Sequence, residues 1–192
     1  MSTSGNVMRL AAEESEASDL VTVIDSANLS TGIGLLVIEA AIMAEKGQSA
    51  AEIAATIASL KPNIRASFVV DTLTYLYRGG RCNAVSAMAG GVLRLHPKIV
   101  VENGAMDASK KYRGKINSVI MSYVKDMEED LKSARPERVF ITHSGCDRTT
   151  VDAVRSYLES LGIFHEILET RAGGVVSSHC GPGTLGVLFI AK

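Results

Sequence analysis

Two stretches of the chain gather residue types that can hold an anion. Residues 170–190 read TRAGGVVSSHCGPGTLGVLFI. There Gly173, Gly174, Gly181 and Gly183 surround Ser177, Ser178, His179 and Cys180. Backbone without Cβ can approach a ligand closely and bare its N–H groups. The two hydroxyls can hydrogen-bond a carboxylate or phosphate, and the imidazole changes charge near neutral pH. The competing reading is a tight turn between strands with an incidental histidine. The second stretch is Arg78-Gly79-Gly80-Arg81. A guanidinium offers a planar fork of donors to an anion, and the glycines let the chain turn sharply enough to present it. Its alternative is a glycine helix stop flanked by solvated arginines.

Three further groups carry chemistry of lower specificity. Asp25, Ser26, Ser30 and Thr31 follow an apolar run and lead into a helix, the place where open α/β sheets bind ligands; Asp25, Ser26 or Asn28 could equally cap that helix. His143-Ser144-Gly145-Cys146-Asp147 contains the residue types of a catalytic triad. Neighbours in sequence rarely have triad geometry, however, and the spacing matches no nucleophile elbow. The basic run at residues 110–115 is either a partner-contact patch or a wet surface. There is no G-x-x-x-x-G-K-[ST] loop and no carboxylate cluster suited to magnesium, so the sequence offers no phosphoryl-transfer machinery of its own.

Hydrophobic periodicity gives the elements that must position these groups. Residues 5–14 read as a helix with Ser4 as N-cap. Residues 20–24 (LVTVI) read as a strand, followed by a helix over 29–46 that ends at Gly47. A helix over 48–60 starts with a capping box of Ser49 and Glu52 and stops before Pro62. A strand over 66–70 leads to a short helix ending at Arg78-Gly79. Residues 83–93 read as a small-residue helix. The Asn103-Gly104 step marks a hairpin. Ile116, Ile120, Tyr123, Met127 and Leu131 lie on one face of a long helix. Pro136 breaks the chain before a strand over 139–142, and a helix over 148–161 is followed by strands over 164–168 and 185–190. The glycine-rich segment between those last two strands reads as a loop.

The chain has 192 residues, 46% of them hydrophobic and 5% aromatic, enough for one good core or two small ones built mainly from aliphatic side chains. Twenty basic and 21 acidic residues nearly cancel, so bulk electrostatics points to neither nucleic acid nor an anionic membrane. No apolar run is long enough for a transmembrane helix, and the N-terminal residues lack a signal-peptide core, so a cytoplasmic location is expected. Cys82, Cys146 and Cys180 are widely spaced, which suits reduced thiols better than a disulfide framework or a metal site.

Taken in order, several segments resemble the DegV family of lipid-binding proteins, which includes the fatty-acid-binding subunits of bacterial fatty acid kinase. Asp25-Ser26 with Ser30-x-Gly32-x-Gly34 is similar to the family's D-S…S-x-G-x-G segment. Asp71-Thr72-Leu73 with Gly79-Gly80-Arg81 resembles D-T-L-x-x-L-x-x-G-G-R, residues 110–115 resemble its basic segment, and residues 173–186 resemble the closing glycine-rich motif with H-x-G-P-G. The resemblance implies the DegV-like (EDD) α/β fold of two lobes. A truncated first lobe would occupy residues 1–62, and a second lobe with a mixed, partly antiparallel sheet residues 63–192. It implies a bound long-chain fatty acid, no other cofactor and no metal, and phosphoryl transfer by a separate fatty acid kinase catalytic subunit, so that this chain is not itself an enzyme. His179 would hydrogen-bond the carboxylate and Arg81 would lie beside the head group and help orient it for phosphorylation, with Gly79, Gly80, Ser177 and Ser178 also at the lipid site. Ser4 matches a serine of the family's L-S-G-T turn, Asn6 replaces the usual Thr, and Arg113 matches a basic position facing the kinase. Family members usually carry about 80 more N-terminal residues. An apolar tunnel wall without that cover is expected to dimerise or to collapse. The alternatives are a small hydrolase or acyltransferase using Cys180 or Ser178 with His179, and a ligand-free structural remnant.

Overall fold

The computed structural model describes residues 3–81 and 95–192; the helix expected over 83–93, and Cys82, lie outside them. Six strands form one mixed sheet in the order β3-β2-β1-β6-β4-β5. They are β1 (Ile64–Val69), β2 (Leu95–Glu102), β3 (Ala105–Arg113), β4 (Ala134–His143), β5 (Glu166–Arg171) and β6 (Leu185–Ala191). The helices are α1 (Ser4–Glu14), α2 (Ser30–Glu45), α3 (Ala50–Leu60), α4 (Thr74–Arg78), α5 (Ile116–Lys125), α6 (Glu128–Lys132), α7 (Arg148–Ser160) and α8 (Gly174–Cys180).

The continuous apolar run LGVLFIA explains why β6 is central. Every residue in it is buried, and a strand covered on both faces needs no alternation of polar and apolar side chains. It pairs antiparallel with β1 on one side and β4 on the other. Parallel pairing occurs between β4 and β5, which α7 connects in the manner of a crossover helix. β2 and β3 form the expected hairpin: Asn103 and Gly104 have φ of 51° and 77°, the left-handed pair that a two-residue turn requires.

Helices cover both faces. On one, Ile120, Tyr123, Leu131, Val154 and Leu158 pack over Val69, Ile141 and Phe189. Tyr123 locks α5 there, since its hydroxyl donates to Ser67 O at 2.8 Å and accepts from Val187 N at 3.1 Å. On the other face Leu35, Ile57, Leu76 and Cys180, from α2, α3, α4 and α8, pack over Phe68, Val101 and Leu188. This second face carries the candidate site. The Ser49–Glu52 capping box opens α3 as expected.

The structure differs from the sequence expectations at several places. Residues 20–24 form no strand; β-branched residues favour a strand only where a neighbour pairs with them, and this segment joins no strand of the sheet. Asp25 and Ser26 therefore follow an irregular segment rather than a strand end. Their side chains accept from Ala27 N and Asn28 N in local turns. Helix α1 begins at Ser4 itself, with Thr3 at the cap and no side-chain capping bond. The long amphipathic helix breaks at Asp126-Met127 into α5 and α6, while Met127 and Leu131 stay buried on the same side. Pro136 sits within β4, at the irregularity between Ala134 and Val139 where the pairing with β6 is interrupted, a place where its missing N–H costs no ladder bond. The fifth strand starts two residues later than expected. The glycine-rich segment is no loop: residues 174–180 wind into α8. Apolar side chains remain exposed on and before α2, with Leu20 at 88% and Val37 at 59%.

Candidate functional site

The two anion-suited stretches meet. Helix α4 ends in a Schellman motif: Arg81 N donates to Leu76 O and Gly80 N to Tyr77 O, with Gly80 at φ 66°. A left-handed glycine at that position satisfies orphan carbonyls of the last turn. Helix α8 packs against α4 so closely that two glycines are required. A Cβ on Gly79 would run into the imidazole of His179, and a Cβ on Gly181 would run into the ring of Tyr75. Gly181 also has φ of 78°, so a side chain is excluded there by conformation as well as by space.

His179, Gly79, Gly80 and Arg81 are thus neighbours. His179 is half-buried and Arg81 exposed. Arg81 Nη1 donates to Gly79 O at 2.9 Å, which steadies the guanidinium while its fork keeps further donors. Among the described residues no carboxylate pairs with Arg78 or Arg81, so the positive charge at this corner is uncompensated within them. Ser177 Oγ donates to Ala172 O at 3.0 Å and Ser178 Oγ to Val175 O at 2.8 Å. Both serine protons are committed to backbone, and each hydroxyl must rotate before it donates to an anion. Ser4 and Asn6 stand on α1, where Asn6 Oδ1 accepts from Arg9. Arg113 is exposed at the end of edge strand β3, opposite Leu95, on an edge that also carries Lys110 and Lys111, a pattern that blocks edge-to-edge pairing.

Beside α8 lies an apolar cleft lined by Leu29, Phe68, Val176, Cys180 and Leu188, with Thr142, Ser144 and Thr184 at its polar side. Its volume is about 30 Å³, room for little more than one water. Thr31 and Thr142 hydroxyls, 2.6 Å apart, and Thr142 and Thr170, 2.9 Å apart, chain α2 to β4 and β5 next to it. A larger open notch of about 830 Å³ between the start of β1 and the hairpin tip shares no residue with α4 or α8. Lys61, Arg65, Lys98, Glu102 and Asp130 line it, a mixed set of charges unsuited to an aliphatic chain. Among the described residues no group of His, Cys, Asp and Glu could hold a metal ion, and no helix is long and apolar enough to cross a membrane.

The nucleophilic alternatives fare poorly in this geometry. Burial pushes the Cys180 thiol up to about 11, and burial with Asp147 nearby does the same for Cys146; a protonated thiol is a weak nucleophile. Ser178 has no base taking its proton, only Val175 O. In the loop after β4, Ser144 Oγ donates to Gly181 O and Cys146 Sγ to Thr184 O at 3.4 Å. That loop fastens the turn between α8 and β6. Its His143 faces Glu169, Nε2 to Oε1 at 3.5 Å, and its Nδ1 accepts from Cys146 N at 3.3 Å; among the described residues neither nitrogen bonds a hydroxyl or thiol. Sequence reasoning missed the roles of Ser144, Tyr75 and Thr142, because a contact 37 residues away leaves no local signal.

The fold is thus a mixed-sheet α/β domain in which the cationic corner at α4 and α8 lies beside a small apolar cleft along α8. The chain belongs to the DegV family: the model of that family, described as an uncharacterised protein, matches residues 1–192. A DegV domain-containing protein of Deinococcus radiodurans is 34% identical over 181 residues, covering 93% of this chain and 62% of the relative. A solved structure described as fatty acid binding of a DegV family protein from Thermus thermophilus is 30% identical, with a TM-score of 0.87, over 100% of this chain and 67% of that one. The fold is also that of the Streptococcus pneumoniae fatty acid kinase (Fak) B3 protein loaded with linoleic acid, at 18% identity and a TM-score of 0.84, over 100% of this chain and 68% of that one. The chain spans about three fifths of the length of the curated relatives it matches.

Proposed function

We propose that this chain takes part in holding a long-chain fatty acid noncovalently and presents its carboxylate to a separate kinase. The observation that carries the reading is the seat of His179 on Gly79, with Arg81 bonded to the same glycine's carbonyl, at the end of the helix whose Val176 and Cys180 line the apolar cleft. An anionic head group with an aliphatic tail needs that pairing of a few donors with an apolar wall. The descriptions of the Thermus and Streptococcus proteins, which bind fatty acids, support it.

In this reading His179 and Arg81 hydrogen-bond the carboxylate. Gly79 and Gly80 let the backbone come close, Ser177 and Ser178 contribute once their hydroxyls turn, and Ser4 and Asn6 approach from α1. Arg113 contacts the kinase. Residues 1–62 act as part of one lobe and residues 63–192 as the other. The cleft must widen to admit a chain, and the exposed apolar side chains of α1 and α2 are covered by the ligand, by more protein or by a second copy in a homodimer.

Mass spectrometry of an organic extract, set beside the native mass of the purified protein, tests this. A stoichiometric fatty acid, lost in His179→Ala and retained in Cys180→Ala, is expected. An empty extract from protein that also takes up no added oleate overturns it.

A further inference from the structure

His96 is 5% exposed and lies at the start of β2, opposite Tyr112. Its two ring nitrogens meet carbonyl oxygens from segments far apart in the chain: Nδ1 is 3.0 Å from Asp71 O and Nε2 is 3.0 Å from Gly114 O. Carbonyl oxygens only accept. A neutral imidazole has one N–H and one bare nitrogen, and a bare nitrogen aimed at a carbonyl would be a buried, repulsive, unsatisfied contact. Both contacts are bonds only if the ring carries two protons. A counter-charge stands beside it, as Asp71 Oδ1 lies 3.3 Å from Nδ1.

The two ends of this bridge matter. Asp71 opens the segment that leads through α4 to Gly79, Gly80 and Arg81, and Gly114 follows Arg113 directly and has φ of 140°. We infer that His96 is a positioning residue, a doubly donating crosslink that holds the approach to the Gly79–Arg81 corner in fixed relation to the turn carrying Arg113. Its functional meaning rests on the proposed function, which puts the head group at one end and the kinase contact at the other; its chemistry does not. The charged or titratable groups around the ring, among the described residues, are Asp71 from the segment before α4, Tyr112 and Arg113 from β3, Lys98 from β2 itself and Lys115 from the turn. Of these the Asp71 carboxylate forms an ion pair with it. The Asp71 carboxylate is the counter-charge beside the second proton, and a ring without that proton keeps only one of the two bonds.

The test is nitrogen NMR of histidine-labelled protein from about pH 5 to 9, the range in which histidines change charge, with His96 assigned by comparison with His96→Gln. At the acid end both ring nitrogens should appear protonated. Loss of the second proton should move the amides of Gly79 to Arg81 and of Arg113 to Lys115 with one shared midpoint, a transition absent from His96→Gln. One bare ring nitrogen across the whole range, or a transition felt at one end only, overturns the inference. Oleate uptake measured on the same sample keeps the two ideas apart. A protein with the shared transition and no uptake retains the crosslink and loses the lipid reading, and the opposite pair of results does the reverse.

Discussion

The imidazole of His179 fills the space in which a Cβ on Gly79 would stand. Gly79 itself has an ordinary helical φ of −77°, so its backbone would accept alanine. What forbids a side chain is the packing of α8 on α4. Gly79→Ala is expected to cost about 1–3 kcal/mol through overpacking and to weaken oleate binding by displacing the ring. In His179→Ala/Gly79→Ala most of the stability loss should vanish. Denaturant melts of the two single variants and the double variant read this coupling, and simple additivity would show that the two residues do not interact.

A second prediction concerns the thiols. With Cys180 pushed up to about 11 by burial, about one molecule in a thousand carries the thiolate at pH 8. Iodoacetamide should therefore modify the peptides containing Cys146 and Cys180 far more slowly than it modifies glutathione, with the rate recovering in denaturant. Cys180→Ala should fold and keep its ligand. Fast alkylation of native Cys180 would instead revive the reading of it as a nucleophile.

Tyr123→Phe isolates a single oxygen. The hydroxyl serves Ser67 O and Val187 N in a fully buried position, and burial pushes its ionisation up to about 12. Its removal deletes two buried hydrogen bonds to backbone and should lower stability by about 1–3 kcal/mol, read as a lower denaturant midpoint with an unchanged slope. Oleate binding relative to folded protein should persist, because Tyr123 stands on the sheet face opposite α8.

Acid should weaken one cluster in a defined direction. Burial raises the Glu169 carboxyl, but Arg148, Arg155 and His143 outweigh it and hold the group below its ordinary value of 4.5. A carboxyl with a depressed folded-state value stabilises above the unfolded value and loses that contribution as pH falls through the folded one. Glu169→Gln is therefore expected to cost about 0.5–1 kcal/mol at neutral pH, in line with partly exposed ion pairs, and progressively less below pH 4.5. Chemical denaturation of both proteins across that range checks it; a constant difference would place the effect in packing.

Much of the fold was legible because it is written in local signals. The run of β6, the capping box of α3, the Asn103-Gly104 turn and the amphipathic face of α5 each state their structure within a few residues, since period, cap and turn chemistry act at short range. The family was legible for another reason: several short motifs occur in one order along the chain. The sequence also marked Gly79, Gly80, Arg81 and His179 as suited to an anion. Their meeting was not readable, because Arg81 and His179 are almost a hundred residues apart and only the packing of α4 on α8 joins them. Tertiary structure likewise decided that residues 20–24 pair with nothing, since a strand exists only by virtue of a neighbour. It decided that the glycine-rich segment winds into α8, with Gly173 and Gly181 at its two caps. It placed His96 between Asp71 and Gly114, a role no spacing announces, because a buried donor is defined by the acceptors that the fold brings to it.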